Sequence, residues 1–211
     1  SESTAQVVEV AGAFSIDNPG AQAGVVDSAT ATLQITFTGG RTPFTLTASG
    51  LPTGLSFDAA TGRITGTPTA GGTYTVKITA TDANAVDATD MTFVYVIDAK
   101  PLDKPAAPTV TPISGTNTKL HVVLSTVPNA TSYTVIVKKQ DEYSSVVQTI
   151  TNASTSASGF DITGLLQNQR YDIFVTAIGD HTNYADSPES LSGWASTYPT
   201  PATPTYSHSP Y

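Results

Sequence analysis

The sequence predicts an all-β chain built as two tandem antiparallel β-sandwiches, and three observations carry that expectation. Its 211 residues include 36 threonines against one methionine and four glutamates, so strand formers abound and straight-chain helix formers are scarce. Apolar residues recur at period two through most of the chain, which puts one face of each segment in a core and the other in water. Three prolines (Pro101, Pro105 and Pro108) interrupt this pattern near the middle and leave two parts of ordinary domain size.

In the first part, Leu33, Ile35 and Phe37 alternate with polar residues, followed by Phe44, Leu46 and Ala48. Tyr74, Val76, Ile78 and Ala80 repeat the pattern, and Met91, Phe93, Tyr95 and Ile97 close it. Turn signals separate the runs at Gly39-Gly40, Pro52-Thr53-Gly54, Thr61-Gly62 and Gly71-Gly72. Short strands with tight turns predict a sandwich over residues 1–98. Residues 99–108 read as a short proline-rich linker. Over 109–197, Leu120, Val122 and Leu124 alternate, then Tyr133, Val135 and Val137, then Val147 with Thr149. Phe160, Ile162 and Leu165 follow, and Tyr171, Ile173, Val175 and Ala177 complete a second sandwich. Residues 198–211 hold four prolines and almost no aliphatics, so they read as an extended tail without a core of its own.

Charge excludes several function classes. The net charge is -8; residues 1–98 carry nine acids and three bases, residues 99–211 eight acids and six bases. Nucleic acid binding needs a basic face, and Lys138-Lys139 is the longest basic run, so no nucleic acid partner is expected. No run of about 18 apolar residues occurs, which opposes membrane insertion by a helix. Cysteine is absent, which removes disulfides, thiolate metal sites and thiol nucleophiles. The first residues show no basic n-region or apolar h-region; Ser1 fits a chain that lost only an initiator Met, and a removed signal peptide would leave the same start.

The segment Leu51-Pro-Thr-Gly-Leu-Ser-Phe-Asp-Ala-Ala-Thr-Gly-Arg-Ile-Thr-Gly-Thr-Pro68, with Gly71-Gly-Thr-Tyr-Thr-Val-Lys-Ile-Thr-Ala-Thr-Asp82, resembles the bacterial putative-Ig family over about residues 28–98. That resemblance implies a cadherin-like Ig sandwich of the kind found in surface and virion proteins. Within the motif, Asp58 is placed to cap a turn, Gly62 to supply positive φ, Ile64 to return to the core and Pro68 to stop the strand. Residues from about 105 to 197 resemble a fibronectin type III domain. Leu165 and Tyr171, six apart, match that family's tyrosine corner, in which the phenol bonds back to the backbone before strand F. The family's strand-B Trp is Leu124 here, and Gln167 stands where the corner proline is usual. The fold class is thus all-β, two tandem Ig-like antiparallel sandwiches with a C-terminal tail.

Few residues suggest chemistry. His121 lies between inward Leu120 and Val122 and should face solvent, and His181 beside Asp180 belongs to the expected F–G loop. No GxSxG elbow, HExxH helix or phosphate loop is present, so the chain reads as a non-enzyme. Asp82, Asn84, Asp87 and Asp90 cluster in the last hairpin of the first domain. By likeness to cadherin-like domains, Asp82, Asp87 and Asp90 are calcium candidates. Exposed aromatics could stack on host-surface glycans or on a protein partner, and Tyr184, Trp194, Tyr198, Tyr206 and Tyr211 are the candidates. A coreless terminal tail can order by adding to a neighbour's sheet edge. The function expected from these readings is a display or attachment protein on an assembled surface, with neighbouring subunits of a virion lattice as partners. A secreted bacterial surface adhesin or stalk module, and a carbohydrate-binding accessory module, are the competing readings.

Overall fold

The computed structural model describes residues 14–83, 90–140 and 145–198. Strands are the only regular elements among them, as the threonine-rich, alternating sequence requires. The chain divides into two compact units, Ser1–Lys100 and Pro101–Tyr211.

In the first unit the strands are β1 (Ser15–Ile16), β2 (Gln22–Val25), β3 (Leu33–Gln34), β4 (Phe37–Thr38) and β5 (Thr45–Ser49). They are followed by β6 (Leu55–Asp58), β7 (Arg63–Gly66), β8 (Gly72–Thr81) and β9 (Met91–Asp98). A four-stranded sheet in the order β2-β9-β8-β5 faces a three-stranded sheet, β3-β7-β6, and β1 pairs with β4. All these pairings are antiparallel except β2 with β9. Alternation sets which residues turn inward: Val76, Ile78, Ala80, Met91, Phe93, Tyr95 and Ile97 are buried between the sheets with Ile35 and Ile64. Phe14 and Phe37 stack on Phe44 at 5.1 and 5.0 Å between ring centroids.

The motif of residues 51–68 is the β6–β7 hairpin and its flanks. Asp58 accepts hydrogen bonds from the Ala60 amide at 2.9 Å and the Thr61 hydroxyl at 2.6 Å, which caps the turn. These bonds hold the Asp58 carboxyl below its usual pKa, the Thr61 hydroxyl contributing most. Gly62 then takes φ of +70°. Gly54 and Gly66 face each other across the hairpin. A Cβ on Gly66 would lie 2.3 Å from the Gly54 carbonyl oxygen, and one on Gly54 would lie 2.1 Å from that of Thr67. Both positions also have positive φ, so backbone approach and backbone conformation each demand glycine.

The strand β10 (Lys100–Pro101) lies where the two units divide. The second unit continues with β11 (Thr109–Pro112), β12 (Leu120–Val123), β13 (Ser132–Lys139) and β14 (Val146–Ala153). Its remaining strands are β15 (Phe160–Ile162), β16 (Arg170–Ile178), β17 (Tyr184–Ala185) and β18 (Gly193–Ser196). A three-stranded sheet, β11-β12-β15, packs on a four-stranded one, β14-β13-β16-β18. Leu120, Val122, Val135, Val137, Ile162, Tyr171, Ile173 and Ala177 fill the space between them. The Tyr171 hydroxyl accepts a hydrogen bond from the Leu166 amide at 2.8 Å, forming the expected tyrosine corner without a proline at Gln167. A second buried phenol, on Tyr133, accepts from the Val127 amide at 2.7 Å.

Within the proline-rich stretch 99–108, Leu102 is buried in the second core and its amide donates to the Ala185 carbonyl at 3.0 Å, while Pro105 and Pro108 are also buried. Proline has no N–H, so burying Pro105 and Pro108 leaves no main-chain donor of theirs unpaired. Val147 does not point inward. The β13–β14 register shifts between Tyr133 and Val135, which turns Ile150 rather than Thr149 onto the core, and again between Val137 and Lys138, where Val147 is the extra residue and Val146 and Val147 are both exposed. One extra residue reverses the inward parity of everything beyond it.

Candidate binding surface

Trp194 sits on β18, the edge strand of the second unit's larger sheet, with its inward neighbours Gly193 and Ala195 buried. Alternation therefore turns it to solvent, where it is 56% exposed. The Arg170 guanidinium lies 4.2 Å from the centre of its ring, and Arg170 Nη2 donates to Asp172 at 3.1 Å. One strand further in, Lys138 Nζ lies 4.4 Å above Phe174. Aromatic faces covered by cations thus line the outer side of this sheet. The sequence suggested Trp194 but not Arg170, because their proximity comes from β16–β18 pairing, in which Arg170 lies opposite Ser196 and Asp172 opposite Trp194.

The other aromatic candidates are separated. Tyr198 follows β18 on the same outward parity and is 44% exposed. Tyr184 is not an exposed platform. It is half-buried against the second core, because its position in β17 turns the ring inward. Tyr206 and Tyr211 lie outside the described residues.

In the F–G loop, Asp180 Oδ1 accepts from the amides of Thr182, Asn183 and Tyr184 at 2.9, 2.7 and 2.8 Å. Led by the Tyr184 amide, these bonds lower the Asp180 pKa to about 2. His181 Nε2 is 2.8 Å from Asp186 rather than bonded to Asp180, and Asp186 is held below its usual pKa first by the Gly179 amide. His121 is outward, as expected, and half-buried, with Nδ1 2.7 Å from Asp161 on the neighbouring strand. The carboxylates are occupied by turn and strand partners, a structural use.

Of the calcium candidates, Asp82 is buried and accepts the Arg41 amide at 3.1 Å. Asp90 pairs with Lys77 and accepts the Thr79 hydroxyl at 2.9 Å, and these contacts, Lys77 first, lower its pKa. Asp87 lies outside the described residues. Among the described residues no three acidic or histidine side chains gather as a metal cluster.

The architecture defines the class: two Ig-like β-sandwiches in tandem, the second with the sheet division and tyrosine corner of a fibronectin type III domain. Residues 3–98 match the family model described as "Putative Ig domain". Over 88 residues, 41% of this chain, the sequence is 42% identical to the "Serine-rich adhesin for platelets" of Staphylococcus aureus strain MRSA252. This match spans only 6% of that adhesin, and 4% of its counterpart in strain USA300. Among solved structures, the FN1–FN3 domains of chicken CNTN1 align at 18% identity with a TM-score of 0.41, covering 87% of this chain and 66% of that one. A "putative alpha-galactosidase" of Bacteroides fragilis aligns at 25% identity and a TM-score of 0.36, covering 44% of this chain and 21% of that one.

Proposed function

We propose that this chain is a non-enzymatic adhesive or structural module displayed on a bacterial cell surface. The observation that carries the reading is the 42% identity, over 88 residues, to a protein named as an adhesin for platelets. The physical design supports it. Each unit closes its own core of aliphatic and aromatic side chains and requires no disulfide, while turns and loops are fixed by carboxylate-to-amide bonds. Such units hold a surface in place without needing a reacting group. The partner is a protein or glycan of another surface, and the outward Trp194 and Tyr198 of the second unit are the residues proposed to meet it.

A cell surface is preferred to a virion lattice because the relative is an adhesin. The test is to display the chain on a non-adherent bacterium and measure retention on immobilised platelets and on a glycan array. Retention above the undisplayed strain, reduced severalfold by Trp194→Ala, supports the reading. Retention equal to the background on both surfaces overturns it. Incorporation of tagged chain into purified phage particles at fixed stoichiometry would instead establish the virion alternative.

A further inference from the structure

We propose that the outer face of β16 and β18 binds a neutral oligosaccharide, with Trp194 and Tyr198 as stacking platforms and Arg170 as the residue that holds the first ring in place. This rests on the adhesive reading above and deepens it, by naming the chemistry of the ligand that those two aromatics meet. Trp194, Ser196 and Tyr198 share one outward parity, and all three are exposed. Four residues of extended chain put the Cα atoms of Trp194 and Tyr198 about 13 Å apart. That distance is too long for one sugar ring and suits a linked chain of them.

Arg170 carries the argument furthest. Its guanidinium lies 4.2 Å from the centre of the Trp194 ring, and its Nε is buried without a hydrogen-bond partner, the sole such side-chain atom among the described residues. An orphaned buried donor costs stability, so the fold gives up stability to keep the guanidinium against the indole. The strand beneath is held as well. β18 is bonded to β16, β11 runs alongside it, and a Cβ on Gly193 would come within 1.9 Å of the Pro108 carbonyl oxygen. A ring fixed before binding loses little freedom when a ligand stacks on its open face.

Polar groups lie between and beside the platforms. In register, Asp172 is opposite Trp194 and Arg170 opposite Ser196. One Asp172 oxygen accepts from Arg170 Nη2 at 3.1 Å, while its other oxygen and the Ser196 hydroxyl make no bond among the described residues. A pyranose has the complementary division, an apolar C–H face rimmed by hydroxyls, so it can cover a ring and bond to its polar neighbours together. Asp172 matches the Arg170 charge, and a chain of net charge -8 repels polyanions, which selects a neutral glycan over an acidic one. Stacking needs C–H groups gathered on one face of the sugar, as β-linked rings with equatorial hydroxyls present them.

The probes are chitotetraose and lacto-N-neotetraose, both neutral and β-linked, titrated into the full chain. Trp194 is the only tryptophan, and its emission should change and saturate with at least one of them at a Kd of about 1 mM or tighter. The matching monosaccharide should bind at least tenfold more weakly, because it reaches one platform only. Trp194→Ala and Tyr198→Ala, followed by saturation-transfer NMR on the sugar, should each weaken binding at least tenfold with the melting temperature unchanged, since both side chains are exposed. Arg170→Lys keeps the charge and lacks the buried nitrogen. Its melting temperature should not fall, while acrylamide quenching of Trp194 rises and binding weakens severalfold. A parent chain silent toward both tetrasaccharides at about 10 mM overturns the proposal, as does binding indifferent to either aromatic substitution. Quenching and binding unmoved by Arg170→Lys overturn the role given to Arg170. Platelet retention that falls with Trp194→Ala in a chain silent toward both sugars would mean a protein partner, so the adhesive reading would stand and this one fall.

Discussion

Replacing Tyr171 by Phe removes one oxygen from the second core and leaves the ring in place. Tyr171 is 1% exposed, and its hydroxyl accepts the Leu166 amide at 2.8 Å. Apolar burial is unchanged by the substitution, so the cost comes from leaving the Leu166 N–H without its partner in a part-buried site. An unsatisfied buried donor costs about 1–3 kcal/mol, and the partial exposure of this one places it near the middle, about 1.5–2. Denaturant slopes for domains of this size are about 1–3 kcal/mol/M in urea, so the midpoint should fall by about 1 M. Trp194 emission is a selective probe, because the single tryptophan lies in the second unit. Urea titrations of the parent and Tyr171→Phe, followed at that emission, should differ in midpoint and share a slope. Tyr133→Phe offers a parallel case, since its phenol accepts the Val127 amide at 2.7 Å in a buried position. A loss below about 0.5 kcal/mol in both variants would refute the reasoning, by showing that water satisfies the orphaned amides.

Gly66→Ala should destabilise the first unit by more than about 2 kcal/mol in thermal denaturation followed by circular dichroism, because its Cβ would meet the Gly54 carbonyl oxygen at 2.3 Å. Acid should loosen the F–G loop. Asp180 has a folded pKa of about 2 against an ordinary 3.8, so its contribution is fully present above 3.8 and is lost as pH falls toward 2. Amide exchange at Thr182, Asn183 and Tyr184 should accelerate across that window, and Asp180→Asn should flatten the dependence.

The tyrosine corner and the 51–68 hairpin are legible in the sequence because both are local. Leu165 and Tyr171 are six residues apart, and Asp58, Gly62 and Ile64 meet within a single turn, so their spacing already contains their geometry. The alternating core was legible for the same reason, since a strand's inward parity persists until something interrupts it. Where β14 inserts an extra residue the parity reverses, and Val147, read as inward from its neighbours, lies at the surface.

What the sequence determined by itself is the all-β class, the two-part organisation, the inward faces of the long strands and the turn chemistry, all properties of residues within a few positions of one another. Tertiary structure alone decided that Leu102 belongs to the second core, that Arg170 covers Trp194, and that β18 ends its sheet with Trp194 and Ser196 facing outward. Those outcomes depend on which strand lies beside which, over separations of up to 83 residues in the case of Leu102 and Ala185. Pairing of that kind is settled by the packing of whole sheets, and period-two patterning is the same for every partner a strand could take.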